Sequence, residues 1–339
     1  MTPLDVNCSL EHLTVVVSSF RWKASNAPTN SVNPVLPLMQ HCWPILTRIL
    51  ERFGGEASVA ENISRCHKHA MRNCGDEFSP LLPSLMQQIG DAFSKTFVSS
   101  YLYLASICVT EFGSSQSHGQ AVLSLVEGLS NIVNSRFVGM EQLNNFPDVA
   151  EEFFYLLSRY VGQCPEITKI GGSFLIESIN RVILGMRMQH REANRGALNF
   201  MDSILDCARN SSRGNNLTGL LNACGPEVVT CCLKCFTGSG PIFYLDRGSC
   251  CLCSVLFKLC VLSSEHPTAA VDAVKESKQV VEWAKASCKQ LGFADNSFVF
   301  ADLVNLLQHA SDTKDRRSFD VLVLKFISKA SRERRRIGG

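Results

Sequence analysis

The chain has 339 residues, of which 45% are hydrophobic and 19% are charged, and its formal net charge is +2. A net charge this small excludes the strong positive field that marks many nucleic-acid-binding proteins, so no direct contact with nucleic acid is expected. No apolar run reaches the roughly 18 residues of a membrane span, so no membrane partner is expected either.

Apolar residues recur at the spacing of amphipathic helices along the whole chain. In chain order, this pattern predicts helices over residues 9–22, 34–52, 59–74, 80–94, 99–112, 120–138, 147–162, 168–188, 192–209, 217–236, 250–262, 267–290, 298–311 and 318–336. Within 217–236, the pair Gly225-Pro226 predicts a break. Since no segment of useful length alternates like a strand between hairpin turns, the predicted fold class is all-α.

The predicted helices form pairs that recur about every 40 to 50 residues, which is the period of HEAT-like repeats. In such a stack each pair buries one face against its neighbours, so the chain builds one continuous core. We therefore predict a HEAT-like helical-repeat solenoid, an α-α superhelix, over 34–311. A partial repeat helix and a polar linker precede it in 1–33, and a capping helix with a basic tail follows in 312–339. A compact bundle and two helical domains are the alternatives.

The predicted helix 59–74 has two different faces when its residues are placed about 100° apart. One face is apolar and can pack against neighbouring helices; it contains Val59, Ile63, Cys66, His67, Ala70 and Cys74. The opposite face is mostly basic; it contains Glu61, Arg65, Lys68, His69 and Arg72. This basic face is either the solvated side of a core helix or a site for an acidic or phosphorylated partner.

The chain has 16 cysteines, and one group of four has the spacing of a zinc site. Cys232, Cys235, Cys250 and Cys253 form two C-x2-C pairs. Both pairs lie in apolar segments at helical spacing, and a buried free cysteine behaves as a small hydrophobic residue. We therefore predict that these cysteines belong to the core and that the chain binds no metal or other cofactor.

The last predicted helix also has an apolar and a basic side. Its apolar positions are expected to cap the stack; they are Phe319, Val323, Phe326 and Ala330. Its basic positions recur every three or four residues; they are Lys325, Lys329, Arg332 and Arg336. We interpret the basic side as a solvated face with favourable charge at a helix C-terminus. A minor contact with acidic cargo or RNA is the alternative.

No catalytic residues are predicted, because none of the common catalytic motifs occurs. The chain has no G-x-x-x-x-G-K-[ST], no G-x-S-x-G and no H-E-x-x-H. Its eight histidines are scattered and form no recognisable pair of nucleophile and base. An enzyme is therefore not expected.

Five stretches carry a family resemblance. They are HCWPILTRIL from His41, the basic helix 59–74, SYLYLASICVTEFG from Ser100, NNFPDVAEEFFYLLSRYVGQCPE from Asn144 and HREANRGALNFMDSIL from His190. In order and spacing these stretches resemble the C-terminal part of the importin-β superfamily, in its transportin-SR and importin-thirteen branch. The matching patterns include a W-P-x-L core, an L-Y-L-x-S-x-x-x-x-E-[FY]-G segment and a helix that begins H-R-[DE]-A-N.

The resemblance implies a nuclear transport receptor that shuttles between nucleus and cytoplasm. Such receptors wrap protein cargo on the concave surface of a solenoid, and imported cargo is released when Ran-GTP binds. In this branch the arginine-rich helix binds cargo rich in arginine and phosphoserine, such as SR-rich splicing factors. Carried over by position, Arg65, Lys68 and Arg72 are the expected cargo-binding residues. A cargo site would require them to line the concave surface without carboxylate partners.

Two positions depart from the family pattern. Asn62 and Lys68 stand where the family carries arginines. Lysine lacks the planar fork that binds phosphate in two places, so phosphate binding is expected to be weaker or suited to a different cargo.

The resemblance covers the C-terminal third or so of the family's length. The arch that holds most of the Ran-GTP surface lies in the N-terminal half of these receptors, so Ran-GTP is expected to bind through a region absent here. The chain is accordingly expected to be a fragment or a divergent short protein. Nucleoporins are further implied partners, and a HEAT-repeat scaffold of a non-transport assembly is the alternative function.

Overall fold

The computed structural model describes residues 2–20, 33–164, 173–209, 215–236, 254–258, 260, 277–291, 298–313 and 315–337. Over these residues the chain is mostly helical, and no strand occurs among them. The prediction of an all-α fold is therefore confirmed.

The helices in the first half of the chain are α1 (Pro3–Ser19), α2 (Val35–Phe53), α3 (Ala57–Cys74), α4 (Leu82–Thr96), α5 (Ser99–Phe112), α6 (Gly119–Arg136), α7 (Met140–Asn145) and α8 (Pro147–Gln163). Those in the second half are α9 (Ser173–Gly185), α10 (Arg191–Arg209), α11 (Asn215–Phe236), α12 (254–258, with residue 260 also helical), α13 (Ser277–Gln290), α14 (Phe298–Thr313) and α15 (Arg316–Ile337). The predicted helix 99–112 matches α5, and α1 begins earlier than predicted. The short helix α7 was not predicted.

Local side chains and glycines set the ends of several helices. Thr2 and Asp5 form a capping box at the start of α1, where the Asp5 carboxylate accepts from the Thr2 amide at 2.8 Å. At the C-terminal end of the basic helix α3, Gly75 has a φ of 54°. Only glycine adopts this conformation without strain, so Gly75 allows the chain to turn sharply after Cys74.

The first compact unit comprises Met1–Arg136 and Asp148–Glu166. Helices α1, α3 and α5 pack side by side in one layer, and α2, α4 and α6 pack in a second layer. Helix α2 also packs on α3, and α4 packs on α5, so each pair contacts both its own partner and the next pair. This is how stacked helix pairs share a continuous core.

Asn62 has a structural role in this unit. The residue is 8% exposed, and its side-chain amide donates to the side-chain oxygen of Asn7 on α1 at 3.1 Å. Asn7 in turn donates to the Ser58 hydroxyl at 2.8 Å. The position that carries an arginine in the family pattern therefore joins α3 to α1 here, and it does not belong to the basic face.

The second compact unit comprises Phe137–Pro147 and Ile167–Gly339. Helix α9 packs against α7, α10 and α11, while α11 also packs against α13 and α15, and α14 lies against both α13 and α15. Lys258 of α12 holds α10 through two carboxylates, with Nζ at 2.8 Å from Asp202 and at 2.6 Å from Asp206. The predicted division at residues 34 and 312 stays a prediction.

The predicted break at Gly225-Pro226 is wrong, because α11 continues through both residues. The reason is tertiary. A Cβ on Gly225 would overlap the ring carbons of Trp283, so this glycine permits the close approach of α13 to α11. Packing of α11 against several helices outweighs the unfavourable helix propensity of the Gly-Pro pair.

Candidate functional site: a groove between oppositely charged helices

The two faces predicted for α3 are confirmed by burial. The six predicted apolar positions are all buried; they are Val59, Ile63, Cys66, His67, Ala70 and Cys74. His67 lies at the centre of this face, where burial lowers the pKa of its imidazole to about 4. Its Nδ1 atom is 2.9 Å from the Ile63 carbonyl oxygen, so the neutral ring donates a hydrogen bond to the backbone. His67 is thus a core residue, whereas the basic side chains of α3 reach solvent.

The three predicted cargo-binding residues do not all have the same surroundings. The Arg65 guanidinium lies 2.7 Å from the Glu61 carboxylate, and Arg72 lies 3.3 Å from Glu111 on α5. Lys68 donates a hydrogen bond to the Tyr103 hydroxyl at 3.3 Å, and its ammonium lies 5.7 Å from the centre of that ring. The expectation that these cations have no carboxylate partners is therefore wrong for Arg65 and Arg72.

Both ion pairs are weak because they are exposed. The side chains of Arg65 and Glu61 are 55% and 54% exposed, and those of Arg72 and Glu111 are 50% and 27% exposed. Exposed pairs of this kind contribute about 0–1 kcal/mol, since water and salt screen them. A phosphate that approaches Arg65 therefore displaces Glu61 at small cost.

Arg65 and Lys68 line a groove of about 450 Å³ between α3, α5 and α8, within the first unit. We call these two residues the basic wall and the whole cavity the charged groove. Arg72 does not line it. The structure therefore brings two of the three predicted residues into one cavity, and it places the third beside Glu111.

The N-terminus of α5 forms another side of the charged groove, through Ser99 and Ser100. Val98 is the N-cap residue and its side chain makes no capping hydrogen bond. The first backbone N–H groups of a helix lack intrahelical partners, and the helix dipole favours an anion there. The Ser64 hydroxyl donates to the Ser100 carbonyl at 3.2 Å, which holds this end of α5 beside the basic wall.

The first turns of α8 form the opposite side of the charged groove. Asp148, Glu151 and Glu152 line it there, and we call them the acidic wall. Burial raises the pKa of Glu152 to about 7, with further raising by Glu151 and Asp148 that the Arg159 guanidinium partly offsets. A ligand in the charged groove therefore meets Arg65, Lys68 and the paired carboxylate of Glu61 on the α3 side. On the α8 side it meets the three carboxyl groups of the acidic wall.

Glu152 is expected to make stability depend on pH. Its pKa is raised from about 4.5 in an unfolded chain to about 7 in the fold, so the folded state binds the proton more tightly. Its contribution to the free energy of unfolding is therefore present below about pH 4.5 and is lost as the pH rises through about 7. At pH 8 the free energy of unfolding of Glu152→Gln should be about 2 kcal/mol higher than that of wild type. At pH 4 the two free energies should differ little.

Urea denaturation of both proteins at the two pH values measures this difference. Glu127→Gln, which removes an exposed carboxylate from α6, serves as the matched control and should show no such dependence. An equal difference at both pH values for Glu152→Gln would contradict the prediction.

The acidic wall and Tyr103 were missed at the level of sequence. Asp148 and the two glutamates stand near the start of a predicted helix, where acidic residues commonly stabilise the helix dipole. That local explanation gives no sign that these carboxylates line a groove, because nothing in the sequence places α8 beside α3. A helix start with three carboxylates in five positions is the available signal.

The other predicted features fall outside the charged groove. Cys232 and Cys235 are buried in α11, as predicted for core cysteines, whereas Cys250 and Cys253 lie outside the described residues. Burial of all four capping positions of α15 is confirmed; they are Phe319, Val323, Phe326 and Ala330. The basic side of α15 is partly paired, since Lys329 lies 2.6 Å from Asp302.

Two further features of α15 concern its end. Arg332 donates to the Ser328 carbonyl at 3.1 Å, which is a contact within the helix. The side chain of Arg336 lies outside the described residues.

In the part of the chain that the structure describes, no helix is both long and apolar enough to cross a membrane.

Comparison with known proteins shows that the chain is similar to transportin and importin-13 proteins. Residues 33–137, which contain α2 to α6, match the family model of the Transportin-3/Importin-13 fourth TPR domain. Transportin MOS14 from Arabidopsis thaliana is 23% identical over 242 residues, which cover 70% of this chain and 24% of that protein. Importin-13 from Homo sapiens is 20% identical over 252 residues, which cover 70% of this chain and 25% of that protein. The chain thus spans about a quarter of the length of these relatives.

A solved structure of importin-13 in its cytosolic state has the same fold. It superposes with a TM-score of 0.78 at 19% sequence identity, and it covers 97% of this chain and 35% of that chain. This similarity confirms the predicted HEAT-like helical-repeat solenoid.

Proposed function

Because this chain belongs to the importin-β superfamily, we propose that it is the cargo-binding part of a nucleocytoplasmic transport receptor. Its importin-13 and transportin relatives are nuclear transport receptors. The proposed cargo is a protein segment rich in arginine and phosphoserine, of the kind found in SR-rich splicing factors. The chain acts by binding, and it carries out no chemical step.

One observation supports this choice of cargo most directly. Arg65 and Lys68 share the charged groove with an N-terminus of α5 that has no side-chain cap. Two cations and the positive end of a helix dipole favour an anion with several acceptor oxygens, which describes a phosphate group. Each such charge-assisted contact contributes about 1.5–3 kcal/mol.

Arg72 extends the basic surface beyond the charged groove. It lies two turns along α3 from Arg65 and holds Glu111 only through an exposed pair. The fixed charges of this face also act on His69, whose pKa is lowered by burial and by Lys68, Arg72 and Arg65. We propose Arg72 as an outer contact for a cargo segment that runs along α3.

The rest of the transport cycle belongs to the full receptor in this proposal. Ran-GTP binds a region that precedes this segment in the longer receptors and releases the cargo in the nucleus. The receptor contacts nucleoporins while it moves between cytoplasm and nucleus.

Binding of labelled peptides tests the proposed cargo. A peptide of alternating arginine and phosphoserine should bind the chain at least about tenfold more tightly than its unphosphorylated form, since about 1.4 kcal/mol corresponds to a factor of ten. Fluorescence anisotropy measures both affinities. Added NaCl should weaken the phosphorylated peptide more, because the contacts are exposed and screened. Equal affinity of the two peptides would contradict the proposal.

A further inference from the structure

Helices α14 and α15 border a second groove, of about 330 Å³, within the second compact unit. We call it the α14–α15 groove. Apolar side chains line part of it, namely Leu306 of α14 and Leu322 and Phe326 of α15. Polar side chains line the rest, among them His309 and Lys325. The charged groove belongs to the first unit, so the two grooves share no residue.

Exposed apolar side chains extend this surface around α15. Val321 and Leu324 are 52% and 56% exposed, and they lie about one turn apart. With residues placed about 100° apart, the order around the exposed side of α15, starting at the groove, is Leu322, Lys325, Val321 and Leu324. Single exposed apolar residues are common on any protein, whereas a pair beside a groove with apolar lining is typical of an interaction surface.

The carboxylates at the start of α15 do not neutralise the cations of this surface. Asp315 accepts a hydrogen bond from the Arg317 backbone amide at 3.1 Å, and Asp320 lies 2.7 Å from the Arg316 guanidinium. The side chains of Arg317 and Lys325 are exposed, and among the residues that the structure describes neither has a carboxylate partner. These two cations are therefore available to an acidic ligand.

Lys329 adds a third cation at the groove. Its ammonium lies 2.6 Å from the Asp302 carboxylate, and the two side chains are 49% and 32% exposed. Exposed pairs of this kind are weak, so a carboxylate from a partner can compete for Lys329. Lysine also covers apolar surface with its methylene groups, so Lys325 does not interrupt the apolar surface between Leu322 and Val321.

A helix fits this surface better than an extended segment. Both sides of the groove are helices, whose interior backbone groups are bonded within the helix and offer none to an extended chain. A helical ligand satisfies its own backbone and presents apolar side chains three and four positions apart. Arg317 and Lys325 lie one turn before and one turn after Val321, so carboxylates beside that apolar stripe can reach both.

We propose that α14 and α15 form a docking surface for an acidic amphipathic helix of another protein. Its apolar side chains enter the α14–α15 groove and cover Val321 and Leu324, and its carboxylates pair with Arg317, Lys325 and Lys329. Protein suits this surface better than RNA, because single-stranded RNA stacks on exposed aromatic side chains and both phenylalanines of α15 are buried. This interaction goes beyond the cargo-binding role proposed above and does not depend on it.

A designed helical peptide of about 16 residues tests the inference. Its leucines stand at positions i, i+3, i+4 and i+7 with glutamates beside them, and a second peptide has the same composition in an order without an apolar face. The chain should bind the amphipathic peptide at least about tenfold more tightly, as measured by fluorescence anisotropy. Equal affinity would mean that charge alone attracts the peptide, and the proposal would be wrong.

Two double variants examine the apolar and the basic part of the surface separately. Val321→Ser/Leu324→Ser and Arg317→Glu/Lys325→Glu should each weaken binding of the amphipathic peptide by about tenfold or more, the first through lost apolar burial and the second through repulsion. Circular dichroism should show an unchanged helix content, because all four side chains are exposed. Full affinity in either variant would overturn the proposal.

A matched variant controls for net charge. Arg48→Glu/Lys95→Glu reverses two exposed cations of α2 and α4, and it should bind the amphipathic peptide like wild type. An equal loss in this control would attribute the binding to net charge.

Two further measurements separate this partner from other occupants of the surface. Oligouridine RNA should bind at least about tenfold more weakly than the amphipathic peptide; equal or tighter RNA binding that the charge-reversed α15 variant loses would make this surface an RNA site. Analytical ultracentrifugation should show a monomer. A dimer that the serine variant converts to a monomer would mean that a second copy of the chain covers the surface, and the proposal would fail.

Discussion

Replacing Arg65 and Lys68 together with glutamate is expected to weaken binding of the alternating arginine–phosphoserine peptide by about a hundredfold or more. Two charge-assisted contacts of about 1.5–3 kcal/mol each are lost, and about 1.4 kcal/mol corresponds to a factor of ten. The new carboxylates also repel the phosphates. Fluorescence anisotropy at low salt measures the loss, and circular dichroism should show an unchanged helix content because Arg65 is exposed and Lys68 only partly buried.

Two control variants separate the charged groove from general charge effects. Arg72→Glu should weaken binding by less than about tenfold, since Arg72 lies outside the groove and contacts Glu111. Lys325→Glu/Arg332→Glu makes the same change of charge on α15, and it should leave the affinity nearly unchanged. If the α15 variant lost as much affinity as the groove variant, net charge and not the groove would govern binding.

Gly225→Ala is expected to lower the free energy of unfolding by about 3 kcal/mol. A Cβ at this position would overlap Cζ3 and Cη2 of the Trp283 ring, so α11 and α13 must separate or the ring must leave its site. Overpacking of this kind costs about 1–3 kcal/mol, and sometimes more. Thermal or urea denaturation followed by circular dichroism measures the change.

Gly128→Ala is the matched control, and it should change stability in the opposite direction. Gly128 lies inside α6, and a Cβ there would meet nothing within 4 Å. Alanine is favoured over glycine in a helix by about 1 kcal/mol, so this variant should be more stable than wild type. In a Trp283→Leu background Gly225→Ala should become much less harmful, since the large ring is gone. An unchanged cost in that background would contradict the explanation.

The sequence alone was sufficient to predict the helices and the buried face of α3. The apolar residues of a helix recur with the period of its backbone. The spacing of Val59, Ile63 and Cys66 therefore predicts one buried side without any knowledge of what covers it. The same periodicity puts Arg65 and Lys68 on the opposite, solvated side. Such inferences depend only on residues within a few turns of one another, and they hold wherever the segment packs.

The tertiary structure decided how these faces are used. The packing of α8 near α3 places the carboxylates of α8 across a cavity from Lys68. The packing of α5 on α3 brings Glu111 to Arg72, and the packing of α1 on α3 brings Asn7 to Asn62. Helix α11 also continues through Gly225-Pro226 because it packs against other helices, and the Trp283 ring occupies the space beside Gly225. Each of these outcomes depends on side chains from distant parts of the chain, whose proximity is set by the packing of many helices together and has no counterpart in local sequence periodicity.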